Sequence, residues 1–318
     1  MQDSRAVRLA SRWPRSAVLW LWGMQLAMAV SLGCGSARAQ ATQWCEKEPA
    51  ADSPSLLSTV DALKIESAVI FAMVTYAGLD AWGWGTRSFT VDPEGWFGMQ
   101  TPHGGADKVG HLYVTYLISE LFYLRLHDYY GKRRVVSLYP ALLGLAIMTY
   151  VEVADGFSVD HGFSPEDFIM DFSGAGFSSI RNAIPRIGTV LDLRFEYLPS
   201  RSVRGLHPFK DYSGQKFFGV LKLAGLGPLY ETPLRYVELS LGYSARGFKN
   251  LDAGHYAEKT SELFFGIGLS VEQLLLVRLQ RQVGTPFDYV RAASNYFQIP
   301  YSYVPSTLSE RTAPRTPR

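Results

Sequence analysis

Apolar and polar positions change rhythm once along this 318-residue chain. From Asp61 to about Pro185 the apolar residues recur at helical spacing; beyond that they alternate one by one. The first part predicts four helices. Asp61–Trp82 contains an uncharged stretch, Ser67–Leu79, too short to span a bilayer. Trp82-Gly83-Trp84-Gly85 breaks it, and a Gly/Pro-rich loop follows through Asp92-Pro93-Glu94-Gly95 and Pro102-His103-Gly104-Gly105. The second helix runs from Ala106 to about Tyr130 and is ended by Gly131-Lys132-Arg133-Arg134, whose charges suit a helix C-terminus. The third, Val135–Val153, is uncharged as far as Val151, so it is either the centre of a bundle or a borderline membrane span. Ser164 reads as the N-cap of a fourth helix, with Pro165 at its first position and Asp167 at its third, ending near Ile184. Gly174 and Ser178 continue the face of Asp167 and Asp171, so a neighbouring helix can approach closely there.

After Pro185, Leu191, Leu193, Phe195 and Tyr197 alternate with Asp192, Arg194 and Glu196. Val237–Ser244 and Leu263–Val271 repeat the alternation, mostly with Gly and Ser on the second face. Phe217–Ala224 predicts a weaker strand, and Phe297–Val304 an edge strand interrupted by Pro300. The expected fold class is α+β: a four-helix α domain over residues 61–186, then an antiparallel β-sheet domain over 187–305. Residues 40–60 read as a flexible leader and 306–318 as a disordered tail. A twisted sheet packing its apolar face on the helices is the plainer form. Strands with apolar residues on one face and Gly or Ser on the other also resemble those of a partial, membrane-facing barrel, although about five strands fall short of the roughly eight a closed barrel needs.

The N-terminus changes the meaning of the charge. Arg5, Arg8, Arg12 and Arg15 precede an apolar run from Ala17 to Gly33, and Ala37-Arg38-Ala39 supplies a small-x-small cleavage pattern. Residues 1–39 therefore read as a cleavable signal peptide, with an uncleaved membrane anchor as the alternative. Ser31-Leu32-Gly33-Cys34 is an incomplete lipidation motif, lacking the usual aliphatic residue three positions before the cysteine. Residues 1–39 hold five arginines and one aspartate, so the 31 basic and 29 acidic residues of the whole chain become 26 and 28 after cleavage, a net charge of −2. The apparent basicity belongs to the signal and gives no case for nucleic-acid binding. Only Cys45 follows the cleavage site, which excludes an intrachain disulfide and a cysteine-ligated zinc.

Three segments place ionisable residues at one-turn spacing within apolar surroundings: Asp107-Lys108-Val109-Gly110-His111, Glu152-Val153-Ala154-Asp155, and Ser164-Pro165-Glu166-Asp167 running on to Asp171. A charge in such surroundings costs several kcal/mol unless it is paired or bound. The segments are therefore expected to meet at one polar centre between helices. Asp107 and His111 share a helix face and can ligate one cation, or the Asp can orient the His for acid–base work; the plainer reading is an N-terminal Asp favoured by the helix dipole beside a core His. Lys108 points off that face, to pair with an acid elsewhere or to snorkel. Glu152 and Asp155 sit at a helix C-terminus, where negative charge is unfavourable unless that end reaches water. Asp167 doubles as a capping acid, whereas Asp171 has no capping role. Asp160 and His161, in the following loop, either close the site from above or are solvated, the latter being the plainer reading. Candidate metal ligands are Asp107, His111, Glu152 and Asp171; candidate catalytic groups are Asp107, Lys108, His111, Glu152, Asp155 and Asp167. Nucleophile-elbow, Walker and dinucleotide patterns are lacking.

Gly105–His111 with Tyr113 and Tyr116, Glu152–Gly156, Gly162–Asp167 and Gly174-Ala175 together resemble the predicted periplasmic lipoprotein family of unknown function that includes YfiM-like proteins. Asp211–Lys216 and Leu241-Gly242-Tyr243 resemble its longer, β-extended members. VanZ-like membrane proteins are more distantly similar, through an Asp-Lys-x-x-His start, a Glu on the next helix and a Ser-x-x-Asp helix. Asp171 stands where both patterns often carry Asn, which adds a negative charge. The resemblance implies an exported protein of the periplasm or cell envelope. The leading expectation is a membrane-associated envelope protein with a mainly structural acid/His centre. The competing one is a metal-dependent hydrolase or transferase acting on an envelope lipid or glycan, with a divalent metal ion as cofactor.

Overall fold

A computed structural model describes residues 55–130, 134–200, 207–208, 210–248, 256–276 and 293–314. The expected signal peptide, Cys34, Cys45 and residues 40–54 of the expected leader lie outside the described residues. The chain is helical from Leu56, so the flexible leader does not extend to residue 60. Helix α1 (Leu56–Ala62) is opened by a capping box in which Ser55 and Ser58 each accept from the other's backbone N–H, at 3.1 and 2.9 Å. A serine here does the work that Glu or Gln usually does at the third position.

The single helix expected over Asp61–Trp82 is two: α1 bends by 70° at the fully buried Leu63 into α2 (Lys64–Ala81). Helices α3 (Ala106–Tyr130), α4 (Arg134–Asp155) and α5 (Pro165–Ala183) match the predicted spans closely. They pack pairwise, with α2 resting on α4. Ile70, Val74, Phe122, Ile147 and Val151 form the apolar core between α2, α3 and α4. The α3–α5 contact is close because Gly174 lies against the Leu112 carbonyl, where a Cβ has no room. Helix α4 is long and apolar enough over Ser137–Asp155 to cross a membrane by composition, yet Ile147, Met148 and Val151 face the protein core while Leu138 and Leu142 are exposed. Pro185 does not simply end the helical part; it opens the short helix α6 (Pro185–Val190).

The β part is one open antiparallel sheet in the order β1 (Leu191–Tyr197), β2 (Gln215–Lys222), β3 (Val237–Arg246), β4 (Glu258–Leu269) and β5 (Tyr303–Pro314). Two expectations are corrected here. The edge strand begins at Tyr303 rather than Phe297, and most of the supposed disordered tail is strand, paired along β4 from Gly268 to Glu258. Main-chain hydrogen bonds hold β5, whose side chains are almost all exposed, so a hydrophobic pattern could not register it.

The sheet curls. Tyr303 of β5 receives a hydrogen bond from Lys216 of β2 at 2.9 Å and lies 3.5 Å from Glu196 of β1. Strands spaced about 4.8 Å apart would hold β1 and β5 far beyond that reach in a flat sheet. The concave face is the charged one: Asp192, Arg194, Glu196, Lys222 and Glu238 are all buried. Part of the apolar face packs on α3, where Phe195 and Phe217 meet Tyr113 with ring centroids 5.4 and 6.1 Å away. The rest carries one aliphatic row across all five strands, Leu191–Leu221–Leu239–Ile267–Val304 in direct register. Ile267 and Val304 are 54% and 75% exposed, and Leu241 and Leu269 beside them are similarly open.

Candidate functional site

The first turn of α3, the end of α4 and the first two turns of α5 converge, so the three ionisable segments do meet. They divide into two clusters, one helical turn apart. In the first, the Lys108 ammonium lies 2.6 Å from Glu94, 3.0 Å from Asp107 and 2.9 Å from Asp167, with 3.4 Å to the Ser164 hydroxyl. The lysine side chain is wholly buried. Burial opposes its charge, but Asp107, Asp167 and Glu94 outweigh that effect and hold it protonated. Lys108 is thus paired rather than snorkelled.

In the second cluster, His111 Nδ1 lies 3.2 Å from Asp171 Oδ1 and 3.4 Å from Glu152 Oε1. Thr115 donates to Asp171 Oδ1 at 2.7 Å, and the Ser164 backbone N–H donates to Glu152 Oε2 at 3.2 Å. Ser164 also caps α5, accepting from the Asp167 N–H at 3.3 Å. Burial works against an imidazolium at His111; Asp167, Asp171 and Glu152 more than reverse this and raise its pKa well above the ordinary range. Burial pushes the Glu152 carboxyl up, and His111 pulls it back. Asp155 is held by Trp84 Nε1 at 2.6 Å, and burial raises its pKa to about 7. A carboxyl poised there can take or give a proton at neutral pH.

Asp107 is not with His111 despite their shared helix face; it turns to Lys108, and the set His111, Glu152, Asp171 stands apart from Glu94, Asp107, Asp167. Three carboxylate oxygens in the two sets, Asp107 Oδ1, Asp167 Oδ1 and Asp171 Oδ2, are buried without a hydrogen-bond partner. Such atoms are costly unless a further ligand satisfies them. Burial, then the neighbouring Asp107, raises the Glu94 carboxyl as well.

Sequence reasoning missed Glu94, His103 and Tyr212. Glu94 lies in the loop before α3, whose turn into the helix uses Gly104 and Gly105 at positive φ and is tied by the Tyr243 hydroxyl to the Gly104 carbonyl. His103 packs on Tyr212 with ring centroids 4.4 Å apart and the planes tilted by 33°. The sequence hint for Glu94 is weak: it stands with Asp92 in a loop of Gly, Pro and aromatic residues. Of the two loop residues that could close the site or be solvated, His161 is half-buried and lines the same cavity, whereas Asp160 is exposed.

That cavity holds about 620 Å³. Its lining includes Asp107, His111, Glu152, Asp155 and Asp167, and most of the rest of the wall is apolar, with side chains such as Val114, Leu117, Ile118, Met148, Phe195 and Phe297 beside a few polar ones such as Gln215 and Gln298.

The fold and site thus define a mixed α/antiparallel-β protein with a buried acid/His centre on an apolar cavity. Residues 93–183, which hold every ionisable group of the two clusters, match a family described as predicted periplasmic lipoprotein of unknown function (DUF2279). That description agrees with export to the periplasm or cell envelope. No curated protein and no solved structure matches the chain.

Proposed function

We propose that this is a membrane-associated envelope protein that takes an amphiphilic lipid into its cavity and presents the polar head to a hydrolase- or transferase-type centre. One observation carries the reading. Glu94, Asp107, Glu152, Asp155, Asp167 and Asp171 gather about Lys108 and His111, and the first five line, with His103, His111 and His161, a cavity whose wall is otherwise mostly apolar. A structural tie tends towards neutrality, and the chain holds such a tie for comparison. Arg181, Arg194 and Lys222 meet Glu120, Asp192 and Glu238 at 2.7–3.1 Å, three cations against three anions. The acid/His centre has an excess of negative charge that only protons or a cation can relieve.

In this reading Asp155, whose pKa burial raises to about 7, serves as general base or acid. The apolar wall favours an acyl chain over a bare glycan. The aliphatic row across the sheet supports apposition to a lipid surface, as alternating strands do in membrane β proteins. The YfiM-like and VanZ-like resemblances belong to this reading, and so does the partition into a helical and a β domain. Mass spectrometry of solvent extracts from purified protein tests it: a stoichiometric lipid is expected, reduced when Leu117→Trp narrows the cavity. Protein that carries none, and whose melting temperature no envelope lipid raises, overturns it.

A second reading, a mainly structural centre, is favoured by Lys108, which pairs with one oxygen of each of three carboxylates. It predicts that His111→Ala lowers the melting temperature; an unchanged value removes it.

A further inference from the structure

The two clusters, one turn apart on the same pair of helices, differ in what sits at their centres. Around Lys108, three carboxylates from Glu94, Asp107 and Asp167 enclose an ammonium at 2.6–3.0 Å. Around His111, no lysine or arginine among the described residues stands between Glu152 and Asp171. We propose that His111, Glu152 and Asp171 hold one divalent transition-metal ion of the zinc or manganese kind, and that the Lys108 ammonium permanently fills the place a second ion would take.

Two ligand atoms bound tetrahedrally at about 2.05 Å from one ion lie roughly 3.3 Å apart. His111 Nδ1 is 3.2 Å from Asp171 Oδ1 and 3.4 Å from Glu152 Oε1, so a single imidazole nitrogen already stands at that spacing from both carboxylates. Asp171 is fully buried, and its Oδ2 has no hydrogen-bond partner, an arrangement a bound cation would relieve. The outer groups that orient metal-binding carboxylates are in place: Thr115 on Asp171 and the Ser164 backbone N–H on Glu152. Three protein ligands of mixed nitrogen and oxygen type leave a fourth position, which faces the cavity through His111 and Glu152. Oxygens of Glu94, Asp107 and Asp167 also lie within 4.8 Å of one another, yet a lysine buried among them repels any second ion.

This inference rests on reading the centre as a binding site rather than a tie, but not on what fills the cavity. The full chain, stripped with chelator, is titrated with Mn²⁺ and with Zn²⁺ by calorimetry, and bound metal is counted by elemental analysis. One ion per chain is expected. Asp171→Asn and His111→Ala should each weaken it by about tenfold to a hundredfold, whereas Asp107→Asn should change it by less than about threefold. Folded Lys108→Met protein should take up two ions; if that variant does not fold, the single-ion count and the Asp107/Asp171 contrast decide the matter. No binding at millimolar metal, two ions in the unaltered chain, or equal losses from Asp107→Asn and Asp171→Asn overturn the inference. Lipid in the solvent extract without any ion would remove the ion alone; an ion without lipid would remove only the amphiphile.

Discussion

Lys108 Nζ stands 2.9 Å from Asp167 Oδ2 across the α3–α5 contact, with none of the lysine side chain exposed. That contact joins the starts of two helices, where the backbone N–H groups already present positive charge. A lysine there is held by carboxylates, not by the helix ends. Replacing it with methionine leaves Glu94, Asp107 and Asp167 facing one another without a countercharge. Lys108→Met should therefore cost about 3–5 kcal/mol of stability, read from denaturant unfolding. A loss below about 1 kcal/mol would show that the cluster is not held by this ion pair.

The approach of α5 to α3 depends on Gly174, whose absent Cβ would overlap the Leu112 carbonyl. Gly174→Val should force the helices apart and cost about 1–3 kcal/mol or more. It should also loosen the His111–Asp171 contact one turn away, so cation affinity should fall with stability. Unchanged thermal unfolding would contradict the close packing.

Stability of the ion-free protein should rise as pH falls from 8 to 5. The Asp155 carboxyl has its folded pKa raised to about 7, and Glu152 is raised too. Each binds a proton more tightly folded than unfolded, so its contribution is present below the unfolded carboxyl range and is lost as pH rises through the folded value. His111, also raised, acts in the same direction: it stabilises below its ordinary pKa and loses that effect as pH climbs. Asp192 behaves oppositely. Burial is outweighed there by Lys222, Arg194 and Arg181, its pKa is lowered, and its contribution disappears only on strong acidification. Melting temperature measured in chelator should peak in mildly acidic buffer, and Asp155→Asn should flatten the alkaline side.

Leu241 and Ile267 are exposed by 51% and 54% on the open face of the sheet. Placing glutamate at both should abolish sedimentation of the full chain with phosphatidylethanolamine–phosphatidylglycerol vesicles while leaving the circular dichroism spectrum unchanged. Undiminished sedimentation would assign the membrane contact to another part of the chain.

Much of the site was legible because helical period and chain chemistry are local. Lys108, Glu152, Asp155 and Asp171 stood out as ions in apolar surroundings, and all are buried in the folded protein. Glu94 did not stand out, because loop residues carry no period that assigns them to a face. Helix α1 escaped notice because two serines cap it reciprocally, and β5 because main-chain pairing registers a strand whose side chains are almost all exposed.

Backbone geometry alone determined the change from a period near 3.6 to a period of two, the N-cap at Ser164, and the faces shared by Asp107 with His111 and by Asp167 with Asp171. Tertiary structure decided which ions meet. Asp107 and His111 share a face, yet the lysine between them draws Asp107 to Glu94 and Asp167, while Glu152 and Asp171 close on the histidine. It also decided which face of the sheet lies inside. Alternation separates two faces without naming the buried one, and only the curl that brings Tyr303 to Lys216 and Glu196 encloses the charged residues and leaves the leucines open.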